Sequence, residues 1–75
     1  MYVISISVDK RKKTIPLLQD VLSSYGDKIN TRLGIHDCKN ENAGIIIAIY
    51  DGEDVEEFVE KLNTVENTEV NYHQI

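Results

Sequence analysis

The 75-residue chain holds one cysteine, one phenylalanine, one proline and no tryptophan, and eight basic side chains stand against thirteen acidic ones. A lone Cys38 cannot close an internal disulfide, and small exported domains usually carry several, so a reducing cytoplasm is the expected setting. The longest unbroken apolar run, Ile45 to Tyr50, is far short of a membrane span, and the opening Met1-Tyr2-Val3-Ile4-Ser5 reads as a strand with no charged region ahead of it. No membrane partner is expected. The formal charge of −5, with six of the 13 acidic residues crowded between Asp51 and Glu60, speaks against direct binding to nucleic acid. Ser5 and Ser7 also stand on the first strand where an RNA-reading sheet presents aromatic rings. There is no glycine-rich phosphate loop, and no serine, histidine and acid can be placed as a triad. No catalytic residue, no enzyme activity and no cofactor are therefore expected.

What the chain does have is enough apolar bulk to fold. Leu, Ile, Val and Phe make up 23 of the 75 residues, well above the level of disordered chains. The length allows one domain, residues 1–75, with no room for a separate catalytic or DNA-reading module. Its stability is marginal. Burying roughly 60% of the extended-chain surface returns roughly 115 kcal/mol, while ordering the chain costs about 110 kcal/mol. With no disulfide and no metal cage in view, association of identical chains is the cheapest further source of burial.

Hydrophobic periodicity sets the element order. Ile4, Ile6 and Val8 alternate with Val3, Ser5 and Ser7 as a first strand. Thr14 is placed to cap a helix in which Pro16 falls within the first turn, where no intrahelical N–H is needed. Ile15, Leu18, Val21, Leu22 and Tyr25 make its apolar stripe, and Gly26 is expected to end it in the left-handed conformation. Ile29, Thr31, Leu33 and Ile35 alternate with Asn30, Arg32 and Gly34 as a second strand. A polar loop, His36 to Asn42, leads to a third strand at Ile45 to Tyr50, apolar on both faces. Asp51 or Glu53 can cap a second helix with the stripe Val55, Phe58, Val59 and Leu62, and Val70 and Tyr72 belong to a last strand. Strand, helix, strand, strand, helix, strand predicts an α+β, ferredoxin-like βαββαβ sandwich: a four-stranded antiparallel sheet with two helices on one face. Right-handed crossovers put the first and third strands in the centre. The face without helices is then expected to carry Val3, Ser5, Ser7, Asn30, Arg32, Gly34, Asn71 and His73 together with half of the third strand.

The segment Tyr25-Gly26-Asp27-Lys28-Ile29-Asn30-Thr31-Arg32-Leu33-Gly34-Ile35, followed by the strand Ile45 to Tyr50 and the Asp51-Gly52 turn, resembles a known family. It is similar to the small ACT-like proteins assigned to regulation of the iron-only hydrogenase system, which are related in fold to the C-terminal domain of the nickel-responsive repressor. The resemblance implies the ferredoxin-like fold, assembly into dimers or tetramers, and a regulatory role. It implies no particular ligand. The loop Asp9-Lys10-Arg11-Lys12-Lys13 lacks the small residues with which amino-acid-binding ACT domains approach a ligand. His36, Cys38 and His73 do not reproduce the histidine and cysteine spacing of the nickel site.

Three groups of candidate residues follow. Lys10, Arg11, Lys12 and Lys13, with Arg32, are the candidates for an anionic ligand, because unpaired N–H groups at a helix start favour anions. The loops after the first and third strands are expected at one end of the sheet, which would set this basic run beside Asp51, Glu53 and Asp54 and neutralise it. His36, Cys38 and His73 are the only soft metal ligands. Val3, Ser5, Ser7, Arg32, Gly34 and Ala48 are the candidates for an oligomer interface through the open sheet face or the edge strands. The function expected is that of a homo-oligomeric regulator responding to a small-molecule effector or acting by protein interaction. The alternative is a metal- or anion-binding accessory protein for a metalloenzyme.

Overall fold

The computed structural model describes residues 1–36 and 42–75, His36 by its backbone alone. Six elements follow in the expected order: β1 (Tyr2–Val8), α1 (Arg11–Ser24), β2 (Ile29–His36), β3 (Gly44–Tyr50), α2 (Val55–Asn63) and β4 (Thr68–Gln74). The sheet order is β2-β3-β1-β4, every neighbouring pair antiparallel. This is the ferredoxin-like α+β arrangement, with β1 and β3 central as right-handed crossovers require. Alternation puts Ile4, Ile6 and Val8 of β1 on the side of the helices, beside Ile46 and Tyr50 of β3. Against them pack Leu18 and Leu22 of α1 and Val55, Phe58, Val59 and Leu62 of α2, the α2 residues at the i, i+3, i+4, i+7 spacing of its apolar stripe. The centre is aromatic: the rings of Tyr50 and Phe58 stack with centroids 4.5 Å apart, and Tyr25 lies 4.7 Å from Phe58.

Both helix starts differ from the pattern read in the sequence. The first helix begins at Arg11 rather than after Thr14, with Lys10 at the N-cap position in the left-handed region at φ 49°. Thr14 is buried inside the helix, where its hydroxyl donates to the carbonyls of Asp9 at 2.7 Å and Lys10 at 3.1 Å. Hydrogen bonding back to the chain entering the helix lets a polar side chain sit in the core. Pro16 therefore lies in the second turn. It is exposed there, so water can serve the Lys12 carbonyl that its ring nitrogen cannot. Gly26 does not take the left-handed conformation either: a short 3₁₀ turn, Gly26–Lys28, follows α1 directly and no glycine has positive φ among the described residues. At α2 the N-cap position is held by Asp54, and neither Asp51 nor Glu53 caps the helix.

The largest departure is in β2. Ile29 pairs with Tyr50 and Thr31 with Ile49, leaving Asn30 as an extra residue between them. A bulge of one residue moves everything beyond it to the other face. Arg32 and Gly34 thus fall on the helix side, opposite Ala48 and Ile46, while Leu33 and Ile35 fall on the open side, opposite Ile47 and Ile45.

Candidate functional site

The open face of the sheet can be read row by row from the strand pairing. Thr31, Ile49, Val3 and His73 make one row, Leu33, Ile47, Ser5 and Asn71 the next, and Ile35, Ile45, Ser7 and Glu69 the third. The face is divided along its length. The half made by β2 and β3 carries five branched apolar side chains and Thr31, whereas the half made by β1 and β4 carries Val3 beside serine, asparagine, histidine and glutamate. Leu33, Ile35 and Ile45 are 55%, 47% and 42% exposed, although nothing charged lies between them on this face. This contiguous apolar patch makes the β2 and β3 half of the open face the candidate interaction surface. β2 also forms an edge of the sheet, so among the described residues one row of its backbone N–H and C=O groups has no strand partner.

Of the residues singled out for an interface, Val3, Ser5 and Ser7 lie on this face. Arg32, Gly34 and Ala48 do not, and their expected placement is corrected by the bulge and the register. Ala48 is fully buried in the core, and Arg32 lies on the helix side, where its Nη2 donates to Gln19 Oε1 of α1 at 2.7 Å. An arginine held there cannot meet a partner across the open face. The residues that take the places of Arg32 and Gly34, Leu33 and Ile35, were hidden in a strand whose alternation runs unbroken through the bulge, and they join Ile45, Ile47 and Ile49, the expected outward half of β3. The one sequence signal for the shift is Asn30, a residue poorly suited to strand interiors.

The basic run is also relocated. Because β1 and β3 are antiparallel, the loop after β1 and the loop after β3 lie at opposite ends of the sheet, and Lys10 to Lys13 cannot be neutralised by Asp51, Glu53 or Asp54. Arg11, Lys12 and Lys13 occupy the first turn of α1, which holds no acidic residue. Positive charge at that end opposes the helix dipole. No carboxylate pairs with these three side chains among the described residues, and the one ion pair there lies elsewhere. Beside Lys13 a shallow groove of about 480 Å³ runs between α1 and the turn after α2, walled by Leu17, Val21 and Val65, with Asn67 at its rim. Its volume is in the range of small-molecule sites.

That ion pair belongs to a clamp at the far end of the sheet. Lys28 Nζ donates to Asp54 Oδ2 at 2.8 Å, and the buried Tyr50 hydroxyl donates to Asp54 Oδ1 at 2.9 Å. The hydrogen bonds from Lys28 and then Tyr50 hold the Asp54 carboxyl below its usual range, and the bond to Asp54 raises Lys28. Burial, followed by the Asp54 carboxylate, pushes the Tyr50 phenol well above 10.0. Gly52 fits where no side chain would: a Cβ there meets Asp54 Oδ1 at 2.7 Å and Tyr50 Cε2 at 2.8 Å. The segment Tyr25-Gly26-Asp27-Lys28, the distinctive start of the family-like stretch, therefore supplies a structural lock, with Tyr25 packed on Phe58 and Lys28 on Asp54.

The metal candidates are not brought together by anything described. Cys38 and the side chain of His36 lie outside the described residues, and His73 stands exposed on β4. Among the described residues no group of three histidine, cysteine or acidic side chains could hold a metal ion, and no helix is long and apolar enough to cross a membrane.

With fold and face in view, comparison with known proteins bears on function. Residues 1–71 match the family model described as "TM1266-like: Iron-only hydrogenase system regulator, putative". The chain belongs to this family. Among solved structures it is similar to the uncharacterized protein TM1266 from Thermotoga maritima, at 23% identity and a TM-score of 0.82, covering 96% of this chain and 91% of that one. SnoaB, a cofactor-independent oxygenase from Streptomyces nogalater, shares the fold at 8% identity with a TM-score of 0.70, covering 99% of this chain and 91% of that one. A formyltetrahydrofolate deformylase from Pseudomonas putida holds the same fold in 28% of its length, at 8% identity and a TM-score of 0.62 over 99% of this chain. At these identities the likeness is one of fold. Comparison with curated proteins returns no match. TM1266-like membership over residues 1–71 confirms the family resemblance read from the segment Tyr25 to Ile35, the strand Ile45 to Tyr50 and the Asp51-Gly52 turn.

Proposed function

We propose that this chain is a non-catalytic regulatory module of the iron-only hydrogenase system that works in the cytoplasm by self-association through the open face of its sheet, under the influence of a small-molecule effector. The observation that carries the reading is the exposure of Leu33, Ile35 and Ile45 at 55%, 47% and 42% on the one layer that no helix covers. A domain this small gains its missing burial most cheaply from a second copy, and two sheets packed about 10 Å apart bury both inner faces. Family membership supports the regulatory part of the reading. A net charge of −5 and serines at the centre of the sheet face support an action on transcription that passes through a partner protein rather than through DNA contact. The groove beside Lys13 has the size for an effector, and its position on the helix layer leaves the sheet face free for association.

Sedimentation equilibrium of the purified chain tests this. A dimer or larger assembly is expected at micromolar concentration, and Leu33→Asp, which sets a carboxylate in the middle row, is expected to leave a folded monomer. A wild-type chain that stays monomeric at millimolar concentration, or an assembly indifferent to Leu33→Asp, overturns the reading.

A further inference from the structure

Resting on the reading of the open face as a self-association surface, we infer the orientation of the pair: the twofold axis lies in the plane between the sheets and runs across the strands, so that His73 of each copy meets the partner's Glu69. Aligned packing of two sheets, with strands within about 30° of each other, leaves two in-plane twofold axes that bring the open faces of identical copies together, one close to the strand direction and one close to its perpendicular. An axis along the strands would exchange left and right. It would set Leu33, Ile35 and the isoleucines of β3 over the Ser5, Ser7 and Asn71 half of the other copy, leaving hydroxyl and amide groups buried against hydrocarbon. An axis across the strands keeps each half over its own kind. The apolar half of β2 and β3 then lies on the same half of the partner, and the polar half of β1 and β4 lies on polar residues.

This second axis also reverses the order of the rows. The middle row faces itself, Leu33 on Leu33, Ile47 on Ile47 and Asn71 on Asn71. The first row lies over the third, which brings Ile49 over Ile45 and, on β4, His73 over Glu69, twice per dimer. The skew of about 30° between packed sheets moves facing residues at the margin by about 5 Å, which a histidine and a glutamate side chain together span. The imidazole N–H can donate to the carboxylate whether or not the ring is protonated. The donor and acceptor pairing on β4 and the apolar pattern on β2 and β3 thus select the same axis independently. The axis along the strands would set Glu69 in the row of Ile35, with no imidazole opposite.

Charge exchange on the full chain at pH 7.5 tests the orientation. His73→Glu places carboxylate against carboxylate at both symmetry-related positions and is expected to raise the dimer dissociation constant at least tenfold. Adding Glu69→Lys to His73→Glu sets opposite signs across the contact and is expected to return the constant to within about threefold of wild type. Both positions are exposed, and unchanged circular dichroism certifies the fold. A double variant as weak as His73→Glu alone, in a chain whose association Leu33→Asp still abolishes, overturns the orientation and spares the open-face reading. Association that survives Leu33→Asp overturns both.

Discussion

Three side chains and one missing side chain close the end of the sheet at which β3 hands over to α2. Tyr50 is buried against Phe58 and cannot retreat, so the Cβ added by Gly52→Ala, 2.8 Å from its ring, forces the turn backbone to shift as well as displacing the Asp54 carboxylate. Overpacking of this kind costs about 1–3 kcal/mol, and calorimetry should show Tm falling by roughly 6–20 °C. Tyr50→Phe removes only the hydroxyl donated to Asp54 and should cost about 1–2 kcal/mol in urea unfolding. Its signature is in the pH profile. The Tyr50 phenol ionises at a higher pH folded than unfolded, so its contribution is complete below pH 10.0 and is lost as pH rises beyond that. Wild type should lose stability above that pH more steeply than Tyr50→Phe. Asp54 acts at the opposite end: its lowered value makes its contribution present above pH 3.8 and lost as pH falls through the folded value.

At the scale of elements, what was legible depended on whether a single stripe or a neighbour's register decided the outcome. The α2 stripe of Val55, Phe58, Val59 and Leu62 is dictated by spacing alone and stands as read. The start of α1 is decided by a buried turn: the hydroxyl of Thr14 bonds back to Asp9 and Lys10, extends the helix through three basic residues, and draws Pro16 into its interior. A helix-interior proline costs about 3 kcal/mol, offset by about 1 kcal/mol of entropy lost from the unfolded chain. Pro16→Ala should therefore raise stability by about 2 kcal/mol, which chemical denaturation would register as a higher midpoint with an unchanged slope. In β2 the alternating pattern is faithful to a strand but silent about which face is which, because the bulge at Asn30 is visible only once β3 supplies a register. That one residue moved Leu33 and Ile35 into view and withdrew Arg32 toward Gln19.

The whole molecule is a two-layer sandwich with one outer surface still apolar over half its width. If a second copy completes it, folding and association share one equilibrium, and the wild-type Tm should rise with protein concentration, by mass action. Leu33→Asp changes an exposed position, so its Tm should equal that of dilute wild type and stay flat across the same concentration range. Calorimetry over a hundredfold span of concentration separates the two behaviours.

The order of amino acids determined by itself the elements, their sequence along the chain, the antiparallel ferredoxin-like sandwich and the family, because these follow from apolar spacing, crossover handedness and a distinctive stretch around Tyr25. Only the tertiary structure decided which surface is free to act. Faces and ends of a sheet are relations between strands, set by one unpaired residue at Asn30 and by the opposed directions of β1 and β3. No single segment contains them.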